Sequence, residues 1–399
     1  MTDPIIIVGG GQAAASLAIQ LRDLGYAKPV MIIGEEAAPP YQRPPLSKKY
    51  LSGEWADDRL YLRTPEAWAA SNITVRTGAK VSRIDPATKT VSLAGEKLRY
   101  GKLALATGAV SRPLPPQFVG LDQVYELRNL ADVDRLRAAF HPGKRMAVIG
   151  GGFIGLETAA VAAKTGLKVT VIERAPRILE RAVGAATSDH FRALHEGYGV
   201  RILESCGVNE VQTNDGTIAL SLSNGETLEV DLVLVGIGVL PATALAEAAG
   251  IAVDNGIATD AYGRTSAPEI WAAGDCASFP YGKGRLRLES VQNAIDQAKA
   301  VAADMLGRGQ PYHPYPWFWS DQYDAKLQIS GLFNGFDQVI TRKGRAGVAH
   351  WYFRDGRFVA VEAINEPAAF MTGRKLLEAG AALDAALMAD ESFDPRRCL

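Results

Sequence analysis

The chain has 399 residues but only three cysteines, Cys206, Cys276 and Cys398, and none lies within five residues of another. A CxxC redox pair is therefore absent, as are the clustered thiols of zinc and iron–sulfur sites. Such a pattern predicts reduced thiols in a cytoplasmic protein. The 5 histidines form no HExxH or comparable set, so no metal site is expected. No apolar run reaches the roughly eighteen residues of a membrane span. The opening MTDPIIIVGGG enters a strand without a basic flank, so no signal peptide is expected. Charge of one sign is also missing: 43 basic residues face 44 acidic ones, which argues against a general nucleic-acid binder.

What the sequence does contain is a repeat of one unit. Residues 4–8, PIIIV, read as a short buried strand. The helix that follows opens with Gly9-x-Gly11-x-x-Ala14. Gly9 permits a tight turn, Gly11 lets backbone approach a pyrophosphate, and Ala14 lets helix and strand pack closely. The helix N-terminus adds free N–H groups and a positive dipole end. A second strand, PVMIIG, ends at Glu35-Glu36; Glu35 is the first candidate to accept from a ribose, with Glu36 the alternative. The unit recurs as RMAVIG, then Gly150-x-Gly152-x-x-Gly155, then a helix, then KVTVIE ending at Glu173. A lone GxGxxG is weak, whereas two complete strand–turn–helix–strand–acid units in one chain point to two bound dinucleotides, FAD and a nicotinamide. Glu173 suits the 2′-OH of NADH and would repel the 2′-phosphate of NADPH, although Arg174 beside it could pair with that phosphate.

Other segments complete the plan. KLALATGA ends a strand at Thr107-Gly108, and DLVLVGIG ends one at Gly236 and Gly238, where glycine lets the chain pass a nucleotide. EIWAAGDCAS closes on Gly274-Asp275, a carboxylate suited to a ribityl hydroxyl. Residues 288–307 read as a helix whose N-terminus would favour negative charge on a reduced flavin. The last segment contains strand-like AKLQISGL and DQVITRKG, a hairpin turned at Asp355-Gly356, and helical FMTGRKLLEAGAALDAALM. The fold class expected is α/β, with two Rossmann-like dinucleotide-binding domains and a C-terminal α+β domain. The FAD domain is split over 1–110 and 242–316, the NADH domain covers 111–241, and the last domain covers 317–399.

With PYQRPPLSK, LALATGA, VIGGGFIGLE, IWAAGDCA, LESVQNAIDQA, PWFWSDQYDAKLQI and INEPAAFMTGRKL in view, the chain resembles the FAD-dependent NADH:ferredoxin reductases of bacterial oxygenase systems. Apoptosis-inducing factor is a more distant relative. The resemblance implies that Glu35, Arg43, Lys48, Arg112 and Asp275 contact FAD, with Lys48 paired to Glu157 near flavin N5. It implies that Ile154 lies by the nicotinamide and that Trp319 lies near the flavin where a [2Fe–2S] ferredoxin docks. Lys299, with Lys283, Arg285 and Arg287, would form a basic patch for an acidic ferredoxin. Where a disulfide reductase would pass electrons to cysteine, this chain has Arg43, two prolines and Lys48, so the acceptor must be external. Reduction of a small molecule such as a quinone or ascorbate radical, and an NADH-sensing role like that of the apoptosis-inducing relative, are the alternatives.

Overall fold

The computed structural model describes residues 3–214 and 216–399. The chain divides into two compact units. The first comprises Met1–Arg43, Trp55–Val110 and Val239–Pro314; the second comprises Pro44–Glu54, Ser111–Gly238 and Tyr315–Leu399.

In the first unit a five-stranded parallel sheet has central strands too apolar to show a polar face to water, and these are covered on both sides, as parallel sheets require. Its strands run in the order Ile270–Ala272, Lys102–Leu105, Ile5–Val8, Val30–Ile33, Ile73–Arg76. All neighbours are parallel, with Ile5 opposite both Val30 and Lys102. Alternation along Ile5–Val8 feeds two cores. Ile5 and Ile7 join Ala14 and Ala18 of helix Gln12–Asp23 and Ala298 and Ala302 of helix Val291–Met305. Ile6 and Val8 join Val81, Ile84, Val91 and Leu93 of a three-stranded antiparallel sheet, Val81–Asp85, Thr90–Leu93 and Glu96–Arg99. Each isoleucine so buried contributes about 2 kcal/mol of transfer free energy. Alanine on both helices lets their backbones come close, which fixes the first helix over the sheet edge where its glycine turn lies.

The second unit repeats the parallel sheet, in the order Arg201–Leu203, Lys168–Ile172, Arg145–Ile149, Leu232–Val235, Val124–Tyr125. A three-stranded antiparallel sheet, Val208–Asn214, Thr217–Leu222 and Thr227–Val230, shares its core through Ile218 and Leu220. The C-terminal sheet is antiparallel, in the order Trp317–Gln322, Ala325–Gly331, Arg357–Ile364, Val348–Arg354, Gln338–Lys343. Its hairpin turns at Asp355-Gly356, both with positive φ (50° and 69°), the backbone that a two-residue turn demands.

Two features differ from the sequence expectations. Residues 370–388, expected as one helical stretch, form the end of Pro367–Glu378 and a separate helix Ala385–Ala389. Gly380 (φ 60°) ends the first, and the Asp384 side chain caps the second by accepting from Ala386 N at 2.7 Å. Residues Pro44–Glu54, drawn into the first domain by the sequence plan, make their contacts within the second unit.

Candidate active site

The glycine turn of the first unit has the geometry its sequence implies. Gly9 sits at φ 123°, and a Cβ there would stand 2.1 Å from Ala106 O, so only glycine is tolerated. A Cβ on Gly11 would meet no atom within 4 Å, so the space over the helix start is open. Gly11 is the N-cap and offers no side-chain cap, so the first N–H groups of Gln12–Asp23 face that space without a side-chain acceptor at the cap. Ala14 is fully buried. This cradle fits a pyrophosphate. Around it, a Cβ on Gly274 would lie 2.9 Å from the Ala13 Cβ, which brings the half-buried Asp275 beside the same helix start. Thr107 donates to Ala242 O at 2.7 Å, and Gly108 has φ 68°.

At the end of the second strand the two candidate acids differ. Glu35 is exposed and pairs with Lys80 at 2.6 Å. Glu36 accepts from both Arg43 and the Tyr41 hydroxyl, and the Arg43 guanidinium lies 5.2 Å over the Tyr41 ring. Arg43 is thus held half-buried by its own loop. The sequence reading did not give Tyr41 this role, although it stands in the PYQRPPLSK motif. Cys276 lies in the turn after strand Ile270–Ala272, fully buried, and burial pushes its thiol up, which suits it poorly to thiolate chemistry.

The second unit has a matching cradle. Gly150 (φ 104°) passes within 2.4 Å, measured from its added Cβ, of Gly236 O, while a Cβ on Gly152 meets nothing within 4 Å. Helix Phe153–Lys164 again starts without a side-chain cap. Gly155 differs from Ala14, because a Cβ there would stand 2.3 Å from Gly150 O. Glu173 is pinned by two backbone donors, Gly151 N and Ala175 N, each at 2.7 Å, and so stands at the mouth of the turn. Arg174 is exposed beside it. Gly238 has φ 98°, and its carbonyl accepts from Arg112 N at 3.0 Å.

A buried carboxylate cluster lies in the same unit. Glu157, 3 % exposed, projects from helix Phe153–Lys164. Its Oε2 accepts from Lys48 Nζ and from Ser47 Oγ, each at 2.5 Å, and its Oε1 accepts from Ser320 Oγ at 2.6 Å. Ser47 and Lys48 sit at the end of the short 3-10 turn Pro44–Ser47, where proline fixes the backbone and Lys48 Nζ also donates to Pro44 O at 3.3 Å. The Lys48–Glu157 pair expected from the resemblance is present. Ser47 and Ser320 were missed, although both stand inside the quoted motifs.

Helix Phe153–Lys164 begins with Phe153 against Phe318 (ring centroids 4.6 Å apart), and Ile154 beside it is 44 % exposed. Trp319, half-buried, packs with Trp317 at 5.5 Å. In the first unit, Lys299 and Lys283 are exposed. Arg287 is not part of an open basic patch: its side chain is 11 % exposed and pairs with Glu289 at 2.6 Å. Arg285 donates to the carbonyls of Thr259 and Ser278. Ser290 caps helix Val291–Met305 by accepting from Asn293 N, so one of the N–H groups expected to face the flavin is already engaged.

Two mononucleotide cradles of the same construction, each a parallel sheet with a glycine turn opening an uncapped helix, define a dinucleotide-dependent oxidoreductase. Residues 3–298 match the family described as pyridine nucleotide-disulphide oxidoreductase, and residues 317–399 match the reductase C-terminal family; the chain belongs to the former and carries the latter as its C-terminal sheet domain. It is 41 % identical over 396 residues to rhodocoxin reductase of Rhodococcus erythropolis, covering 98 % of this chain and 93 % of that protein. A ferredoxin reductase from Rhodopseudomonas palustris superimposes with a TM-score of 0.96 at 39 % identity, over 99 % of both chains. The reductase in the covalent putidaredoxin reductase–putidaredoxin complex gives a TM-score of 0.95 at 36 % identity, over 99 % of this chain and 98 % of that one. Among the described residues no helix is long and apolar enough to cross a membrane.

Proposed function

We propose that the chain is an NADH-dependent flavoprotein reductase that delivers electrons one at a time to a [2Fe–2S] ferredoxin serving an oxygenase. The observation that carries this reading is the likeness of the whole chain, C-terminal sheet included, to reductases named for ferredoxin-type partners. The open cradle over Gly9, Gly11 and Ala14 suits FAD, with Thr107, Gly108, Asp275 and Arg43 around that dinucleotide and Glu35 or Glu36 at its ribose. The cradle over Gly150, Gly152 and Gly155 suits NADH, with Glu173 accepting from the adenosine ribose and Ile154 and Gly238 lining the path of the nicotinamide. Arg112, Lys48 and Trp319 are assigned to the flavin on the family resemblance.

When bound, FAD supplies the conversion the task needs, taking two electrons together and releasing them singly. The chain's own residues bind, orient and set charge. Backbone N–H groups of the two helix starts neutralise the pyrophosphates. Glu157, bonded by Ser47 and Ser320, holds the Lys48 ammonium in one position, so a fixed positive charge is available without reorganisation during transfer. Trp319 and Lys299 are assigned to the ferredoxin face.

Stopped-flow mixing tests the proposal. The purified protein should be yellow, absorbing near ~450 nm, and should bleach with NADH. Mixing the reduced protein with a [2Fe–2S] ferredoxin should restore the colour quickly. Rapid recovery with a quinone alone would transfer the assignment to a small-molecule reductase, and a long-lived reduced species that ignores both would favour an NADH sensor.

A further inference from the structure

The carboxylate cluster does not end at Ser320. Ser320 Oγ accepts from Gln322 Nε2 at 3.2 Å, and Gln322 Oε1 lies 2.8 Å from His195 Nε2. The other ring nitrogen, Nδ1, lies 3.5 Å from the Tyr323 hydroxyl. Glu157, Ser320, Gln322 and His195 are all essentially inaccessible, at 3 %, 0 %, 1 % and 0 % exposure. At its far end the chain reaches Tyr323, whose ring stacks on the exposed Tyr198 with centroids 3.8 Å apart and planes 5° from parallel. Its four buried members come from three elements, helix Phe153–Lys164, helix Ala185–Gly197 and strand Trp317–Gln322, and Tyr323 lies in the turn that follows the strand.

Direction is fixed at every link. A carboxylate can only accept, so Ser320 donates its proton to Glu157. Ser320 Oγ must then be filled from the other side by an N–H, which sets the amide of Gln322 with its nitrogen toward Ser320 and its oxygen toward His195. That oxygen needs a donor, so His195 carries its proton on Nε2, and Nδ1 accepts from Tyr323. We propose that His195 and Gln322 are positioning residues, which keep the Ser320 hydroxyl aimed at Glu157 and thereby hold the Lys48–Glu157 pair in one geometry for the hydride step. Burial lowers the His195 pKa while Gln322 raises it in part, and the neutral ring this favours is the one the chain requires. Without the His195 donor nothing holds the Gln322 amide in this orientation, and when it is turned its oxygen competes with the carboxylate for the Ser320 proton. An amide does not pass a proton without turning over, so the chain orients and does not conduct.

The inference rests on the assignment of Lys48 and Glu157 to the flavin, and the experiment separates the two. In His195→Phe holoenzyme, hydride transfer at saturating NADH should fall about fivefold, the rate equivalent of one neutral hydrogen bond, with NADH affinity unchanged within about twofold. His195→Gln can place an amide N–H where Nε2 stands and should restore the rate. Gln322→Met, which keeps the volume and loses both amide groups, should behave as His195→Phe does. ¹⁵N resonances of labelled wild-type holoenzyme should report a neutral His195 with the proton on Nε2 at pH 7; this reading survives even if a variant fails to fold. A proton on Nδ1, a cationic ring, or equal rates in the Phe and Gln variants overturns the inference. If Lys48→Met slows hydride transfer while His195→Phe does not, only the inference fails. If Lys48→Met has no effect, the site assignment fails and takes the inference with it.

Discussion

Ala14 and Gly155 hold the same place in their two turns but face different neighbours. An added Cβ at Gly155 would collide with the carbonyl of Gly150, a backbone atom that cannot step aside, whereas Ala14 already carries its methyl in a fully buried site. Gly155→Ala should therefore weaken NADH binding by tenfold or more, on the order of the 1–3 kcal/mol that overpacking costs. The flavin absorbance should be retained, and titration of that absorbance with NADH measures the loss. Ala14→Gly should cost only about 1 kcal/mol, through helix propensity. Glu173 tests the choice of nicotinamide. Its two backbone donors leave it anchored at the turn, so Glu173→Ala should narrow the NADH preference by about tenfold in the ratio of kcat/KM values for NADH and NADPH. An unchanged ratio would refute the role given to that acid.

At the scale of elements, His350 on strand Val348–Arg354 predicts a pH response. Burial, with a smaller contribution from His190, pushes its pKa down to about 4, and its Nδ1 lies 2.8 Å from Thr341 Oγ1. The unfolded chain binds a proton near pH 6.5 that the folded chain refuses until about pH 4. The neutral ring's contribution is therefore whole above pH 6.5 and drains away as pH falls toward 4, by about 3 kcal/mol in total. His350→Gln should flatten the fall in apparent melting temperature across that window. Much of the element structure was legible: the buried β-branched runs, the two glycine turns and the Asp355-Gly356 hairpin all signal themselves locally. The break at Gly380 and Asp384 was also signalled, by a C-cap glycine and an N-cap aspartate, but the helical periodicity on either side masked it. What could not be read locally was which side chains meet. Ser47 and Ser320 lie 110 and 163 positions from Glu157, and nothing in their own surroundings marks them as its donors.

Across the whole molecule, the two half-reactions should separate by residue. Lys48→Met removes the charge that Glu157 holds and should slow reduction by NADH by about 10- to 100-fold, with a smaller effect on reoxidation by ferredoxin. Trp319→Ala should do the reverse, slowing ferredoxin reduction more than hydride transfer. Equal loss in both half-reactions would make Trp319 a packing residue. The resemblance singled out these two residues; spacing alone would have left Lys48 as a solvated helix cap. One organisational fact was hidden from any linear reading: Pro44–Glu54 keeps company with residues far downstream, while both of its flanks belong elsewhere.

That loan of eleven residues, Pro44 through Glu54, has a cost during synthesis. The ribosome releases Ser47 and Lys48 long before Glu157 exists, so the early segment must wait undocked until its later partner emerges. A gene fragment starting at Ser111 would produce a downstream half whose interior carboxylate had lost two of its three donors, and an orphaned buried charge of that kind costs several kcal/mol. The halves of this protein cannot be inherited, swapped or engineered as independent cassettes unless that short stretch travels with its acid.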